Sequence, residues 1–180
     1  WPDVPHVYGW LWLTARGQWQ LRGEPIANAA IRDFIGRNYA SDERGRWFFQ
    51  NGPQRVYVEL ELAPWVYRLQ PDGRPRTFTG LQPRRLQAAA LVDGNAFVLL
   101  TDLGAGNVDG RDAGRLLAAL SDGDGVSPDD PALERALGDG RSLYVRAASL
   151  GLGDALVPLQ RLARDALAAS FGFDPAPQPN

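Results

Sequence analysis

The stretch Trp47-Phe48-Phe49-Gln50-Asn51-Gly52-Pro53-Gln54-Arg55 runs aromatic rings into a tight turn that is set with side-chain amides and closed by an arginine. A guanidinium beside amides can hold a carboxylate or another polar ligand, and an indole offers a wall to stack on. Trp47, Gln50, Asn51, Arg55 and Trp65 are therefore the candidate ligand-binding residues. The competing reading is a plain hairpin whose Gln and Asn satisfy its own backbone, with Trp10, Trp12 and Trp19 in the core.

Three other constellations have the residue types for chemistry. Glu59 and Glu61 lie on one face of a strand, roughly 7 Å apart by strand rise, about the separation of a glycosidase carboxylate pair. Such pairs come from different elements bordering a cleft, whereas these alternate along one strand with Arg55 and Tyr57 as neighbours. Asp122-Gly123-Asp124-Gly125, with Asp129 and Asp130, resembles the start of a calcium loop but runs into Val126-Ser127-Pro128. It reads more simply as a turn followed by acids at a helix N-terminus. Gly104-Ala105-Gly106-Asn107-Val108-Asp109-Gly110 before a helix invites a dinucleotide reading. Its third glycine is one residue late, and Asp109 sits where a pyrophosphate needs positive potential. The simpler reading is a flexible strand-to-helix loop with an acidic cap. No catalytic residue, metal ligand or cofactor site is assigned.

Composition removes whole classes of activity. The 180 residues include no Cys and a single His, His6, and all 19 basic residues are Arg. Thiol nucleophiles, iron–sulfur clusters and structural zinc are excluded by the first two facts. Schiff bases, pyridoxal phosphate and the P-loop lysine are excluded by the third. A net charge of −2 argues against nucleic acid as a partner. The charge is uneven: residues 1–86 carry 12 Arg against 8 acids, and residues 87–180 carry 7 against 13. Opposite charge helps two halves dock or leaves one mildly basic face. No apolar run approaches the ~18 residues of a membrane helix, so no membrane partner is expected. The chain opens on Trp1 with no signal-peptide pattern. Upstream residues are expected to have been trimmed or left out, and the expected compartment is the cytoplasm.

The elements that must position these residues follow from pattern. All six Trp lie in residues 1–65 and 14 of the 18 aromatics precede residue 81, while the second half relies on Ala, Leu and Val. This predicts an α+β fold of two tandem strand-hairpin-plus-helix subdomains with mainly antiparallel sheets. Residues 1–80 form an aromatic-rich αβ subdomain, 81–173 an Ala/Leu-rich one, and 174–180 a loose tail. Strands are expected over 8–14 and 18–22, and a helix from the Asn28 cap to Asn38 buries Ile31, Phe34 and Ile35 as one stripe. A turn at Asp42–Gly45 precedes a strand over 46–50. The cleanest strand follows, with Val56, Val58, Leu60 and Leu62 on one side and Arg55, Tyr57, Glu59 and Glu61 on the other. A strand over 65–69 leads to the Pro71-Asp72-Gly73 turn. Strands over 87–92 and 97–101 flank Asp93-Gly94-Asn95. A helix near 112–120 turns Leu116, Leu117 and Leu120 inward, and another starts at Asp130-Pro131. A strand spans 143–147, and a last helix 158–170 carries Leu159, Leu162, Ala166 and Leu167.

Val4-Pro5, Tyr8-Gly9-Trp10-Leu11, Arg22-Gly23-Glu24-Pro25-Ile26, Trp47 through Val58 and Ala63-Pro64-Trp65-Val66 together resemble an uncharacterised proteobacterial family of unknown function. That family is distantly similar to the DUF1285 family, which shares Trp before Gly23-x-Pro25-Ile26, the helix, Asp42-x-x-Gly45 and Ala63-Pro64-aromatic. The resemblance covers about residues 4–67. It implies a mixed α+β fold with repeated strand–helix units and a role in signalling or regulation, and it brings no catalytic residues. Leu62 stands where the distant relative tends to be acidic. The expected function is a non-catalytic regulatory module that binds a small polar ligand or a protein partner. The alternative is an enzyme built on Asp or Glu with Arg, with or without a divalent cation.

Overall fold

The computed structural model describes residues 4–179. Strand β1 (His6–Leu13) buries Val7, Leu11 and Leu13, and β2 (Trp19–Leu21) pairs with it antiparallel, Leu11 facing Leu21. The short β3 (Glu24–Pro25) completes a three-stranded meander. Asn28 then caps helix α1 (Ala29–Arg37), its side-chain oxygen accepting from the Ile31 N–H at 3.2 Å. A second meander follows: β4 (Tyr39–Ser41), β5 (Trp47–Asn51) and β6 (Gln54–Leu60). Strand β6 lies parallel beside β1, so the first sheet has the order β3-β2-β1-β6-β5-β4.

The chain crosses to the second sheet over residues 61–64. There β7 (Trp65–Leu69) and β8 (Pro75–Thr77) form a hairpin. Next come β9 (Leu86–Val92), β10 (Ala96–Thr101) and β11 (Gly104–Val108), another antiparallel meander. The β9–β10 connection turns on Asp93 and Gly94, with φ of +48° and +72°, the two positive values that a tight hairpin turn requires. A 3-10 turn (Gly110–Asp112) leads into α2 (Ala113–Leu117), β12 (Leu120–Ser121), α3 (Asp130–Asp139), β13 (Tyr144–Arg146), β14 (Leu156–Leu162) and α4 (Arg164–Phe171). The order is β12-β13-β14-β9-β10-β11-β7-β8, with β14 parallel to β9 and β11 parallel to β7. The fold is α+β as expected. Most pairings are antiparallel, and the three parallel ones make both sheets mixed.

Several elements differ from expectation for identifiable reasons. Only Ile35 of the α1 stripe is buried; Ile31 is 48% exposed and Phe34 44% exposed, because the helix leans on the sheet by one edge. The glycine-rich segment expected as a loop is strand β11. Its glycines let the backbone lie against large rings, for a Cβ on Gly106 would overlap the Tyr67 ring. Helix α2 stops at Leu117, and Leu120 is buried on β12 instead. The cap of α3 is Asp129, one residue before the Asp130-Pro131 pair, and Gly140 ends that helix at φ +72°. The segment expected to open the last helix is β14. Its ladder to β9 begins at Leu159, one residue past Pro158, which has no N–H to donate. The helical spacing of Leu159, Leu162 and Ala166 spans a strand-to-helix junction.

One apolar cluster runs through both sheets, from Val7 and Trp19 to Leu150 and Phe173. The C-terminal segment docks against the first sheet. Asp174 bridges Arg46 in parallel, the Leu60 N–H donates to Pro175 O at 2.8 Å, and Pro177 is buried. Gly45 makes room for this docking: a Cβ there would stand 2.5 Å from the Gly172 carbonyl oxygen. Among the described residues no helix is long and apolar enough to cross a membrane.

Candidate functional site

Strand alternation divides the candidate residues. On β5, Trp47, Phe49 and Asn51 share one face, and Phe48 and Gln50 the other. Trp47 and Trp65 meet edge-to-face at 5.1 Å where the two sheets join, and Tyr39 stands edge-on to Trp65 at 5.2 Å. Both indoles are buried, and the Trp65 Nε1–H donates to Leu103 O at 2.7 Å. Gln50 closes its own turn, its amide donating to Gly52 O at 2.7 Å and Gln54 O at 3.2 Å. Asn51 lines a separate apolar groove beside α1. Arg55 projects on the opposite face, its guanidinium 4.5 Å above the Phe48 ring. The structure thus brings Trp47 and Trp65 together in the core and sets Arg55 apart from them.

The outer face around Arg55 is a layer of rings and cations. Tyr8 stacks on Tyr57 at 4.6 Å, and Arg46 lies over Tyr57 at 4.8 Å. Burial, together with the neighbouring Tyr57, raises the Tyr8 phenol above its ordinary value. Arg46 also pairs with Asp42 at 2.8 Å, and Asp42 Oδ1 accepts from the backbone N–H groups of Arg44 and Arg46 at 3.0 Å each. Burial pushes the Asp42 carboxyl up, and these donors more than offset it, holding the group below the usual carboxylate range. The β4–β5 turn and Arg55 enclose a basin of about 470 Å³ lined by Ser41, Asp42, Glu43, Arg44, Arg46 and Arg55. Among the described residues Arg55 has no carboxylate partner.

A second charged cluster lies where β11 meets the 3-10 turn. Asp109 and Asp112 are both buried. Arg111 grips Asp109 at 3.0 and 2.8 Å, while Asp112 accepts from Arg68 Nε at 2.8 Å and the Leu69 N–H at 3.1 Å. Nearby, Asn107 ties the sheets together by donating to Ala15 O at 2.8 Å, and Glu61 accepts from the Ala15 N–H at 2.7 Å. These acids are engaged in holding backbone and cations. In the Asp122 loop, likewise, Oδ1 accepts from the Asp124 and Val126 N–H groups. Among the described residues no three His, Cys, Asp or Glu side chains converge to hold a metal.

The sequence matches the family model DUF2944, described as "Protein of unknown function (DUF2946)", over residues 1–178. The chain belongs to the DUF2944 family. No curated protein matches it. Among solved structures, a DUF1285 family protein from Silicibacter pomeroyi aligns with a TM-score of 0.54 at 16% identity, covering 88% of this chain and 83% of that one. Another, from Shewanella baltica, aligns with a TM-score of 0.46 at 17% identity, covering 60% and 90%. The expected kinship with DUF1285 is thus one of fold.

In this DUF2944-family chain the basin's second wall, Arg44 and Arg46, was visible in sequence only as a turn. The usable signal is the arginine on either side of Gly45, both of which the closed turn brings next to Arg55. The Asp109 pair carries a pH prediction. Arg111 pulls the Asp109 carboxyl down to about 2 against the upward push of burial. A lowered folded-state value stabilises the fold fully above the unfolded carboxylate range near 4 and loses that contribution as pH falls toward 2. With Arg111 largely in water, the loss is about 1–2 kcal/mol. Urea unfolding at pH 5 and pH 2.5 should show a difference smaller by that amount in Asp109→Asn. An equal pH dependence in both proteins would remove the pair from the ledger.

Proposed function

We propose that this protein is a non-catalytic binding module with a regulatory role, and that the basin beside Arg55 holds a small carboxylate- or phosphate-bearing ligand. The observation that carries this is the Arg55 guanidinium, half-buried on Phe48 and without a carboxylate partner among the described residues. A cation stacked on a ring keeps its edge donors available for an anion.

We infer further that the two sheets are tandem copies of one unit, which bears on the same site. In the first, β1–β3, α1 and β4–β6 follow in order, with β6 parallel to β1; in the second, after the extra β7–β8 hairpin, β9–β11, α2 and β12–β14 follow in order, with β14 parallel to β9. The two β-turns after the helices also correspond. Ser41-Asp42 with Gly45 and Ser121-Asp122 with Gly125 share the same bonds: Asp Oδ1 accepts from the second and fourth following N–H groups, and the glycine has φ of +74° or +78°. Where the first copy has Arg44 and Arg46, the second has Asp124 and Val126. The second turn closes without cations, whereas in the first Arg46 pairs with the turn's own Asp42, and Arg44 and Arg46 add positive charge beside Arg55.

A thermal-shift titration with inorganic phosphate and with citrate tests this. The wild-type protein should gain several degrees. Arg55→Ala should melt within about 1–2 °C of wild type without ligand, since a half-exposed cation contributes little to stability, and should lose the ligand-induced gain. An undiminished gain in Arg55→Ala would place any anion site elsewhere.

A further inference from the structure

On the opposite face of β5 from Arg55, α1 leaves its apolar stripe half uncovered. Ile31 and Phe34 stand 48% and 44% exposed beside a fully buried Ile35. With Trp10, Leu21, Ile26 and Phe49 they wall a concave groove of about 330 Å³, and Asn51 supplies an amide to its lining. Phe34 meets the buried Phe49 edge-on at 5.4 Å, which fixes the floor.

Arg22 stands beside the groove, stacked on the Trp10 ring that helps to line it. Its guanidinium lies 3.6 Å over the Trp10 ring, and among the described residues it has no carboxylate partner. Arg22 adopts φ +52°, a left-handed conformation that arginine reaches only with strain. A hairpin turn there is made more cheaply by Asn or Gly, so the turn bears a cost that leaves a cation on Trp10 at the side of the groove. Among the described residues no charged side chain lines the groove itself. At about 30 Å³ per water-sized group the space takes on the order of ten heavy atoms. Two half-exposed side chains on a nine-residue helix fall far short of the roughly 800 Å² per partner of a stable protein interface.

We propose that this groove binds a medium-chain acyl or aryl carboxylate, its apolar body against Ile31, Phe34 and Trp10 and its carboxylate on Arg22. This site is separate from the Arg55 basin and does not depend on it.

Calorimetric titration of the whole chain with octanoate and with octanol tests it. Octanoate should bind saturably at one site and more tightly than octanol. Ile31→Ser/Phe34→Ser, which removes two half-exposed side chains and should leave the chain folded with a somewhat lower melting temperature, should weaken octanoate at least about tenfold. Arg22→Ala should bring octanoate down to the level of octanol. Absence of saturable octanoate binding, or binding indifferent to the double substitution, would overturn the proposal. A concentration-dependent dimer in sedimentation that the double substitution abolishes would also overturn it, assigning the face to a second copy of the chain.

Discussion

Trp65→Ala is expected to cost the fold about 3–5 kcal/mol, the range for emptying a buried tryptophan site. The indole is 3% exposed and touches Trp47, Tyr39 and Phe78, so its removal leaves a void bounded by three other rings. It also strips Leu103 O of its 2.7 Å donor. For a chain of this size the melting temperature should drop by roughly 10 °C. Trp65→Phe keeps most of the ring but leaves the Leu103 carbonyl unpaired, and should cost about 1–3 kcal/mol. Thermal melts of both variants check this. A Trp65→Ala protein that melts like wild type but has lost ligand binding would return Trp65 to a binding wall and contradict its core role.

Gly106→Ala is expected to destabilise by about 2–3 kcal/mol, the upper part of the range for overpacking. Strand β11 lies between β10 and β7, and the new methyl would overlap the Tyr67 ring and stand 2.8 Å from Trp65 Cβ. Tyr67 has nowhere to retreat. It is fully buried, hydrogen-bonded to the Thr101 hydroxyl at 2.8 Å, and donates to Gly104 O at 3.2 Å. Burial drives its phenol well above the ordinary value, as expected of a ring locked away from water. Gly114→Ala is the control. It sits in α2 with open space around it, and there a methyl should stabilise by about 0.5–1 kcal/mol. Urea unfolding of the two variants should give opposite signs. Equal effects would mean that close packing does not explain the glycine at 106.

Elements set by local rules were legible in the sequence. The alternation through Val56, Val58 and Leu60, the Asn28 cap and the Asp93-Gly94 turn depend on neighbours a few residues away. What escaped depends on distant partners. The spacing of Ile31, Phe34 and Ile35 marks an apolar face but not whether another element covers it. The glycines of 104–106 look like a loop until Trp65 and Tyr67 are known to press against them. Indole composition cannot separate a core from a cleft, so Trp47 and Trp65 were grouped with Arg55, although strand alternation places Trp47 and Phe48 on opposite faces. The matching Ser-Asp-x-x-Gly turns at 41–45 and 121–125 stand in the sequence, but the first leads directly into β5 whereas α3 lies between the second and β13.

The Arg55 basin is tested most directly by an NMR titration of the isotopically labelled chain with inorganic phosphate, following backbone amides and arginine side-chain Nε–H signals together. Saturable shifts confined to the Arg55 Nε–H and the amides of residues 41–46 are predicted. Shifts centred on Arg111 and residues 109–112, or only a uniform ionic-strength drift, would contradict it.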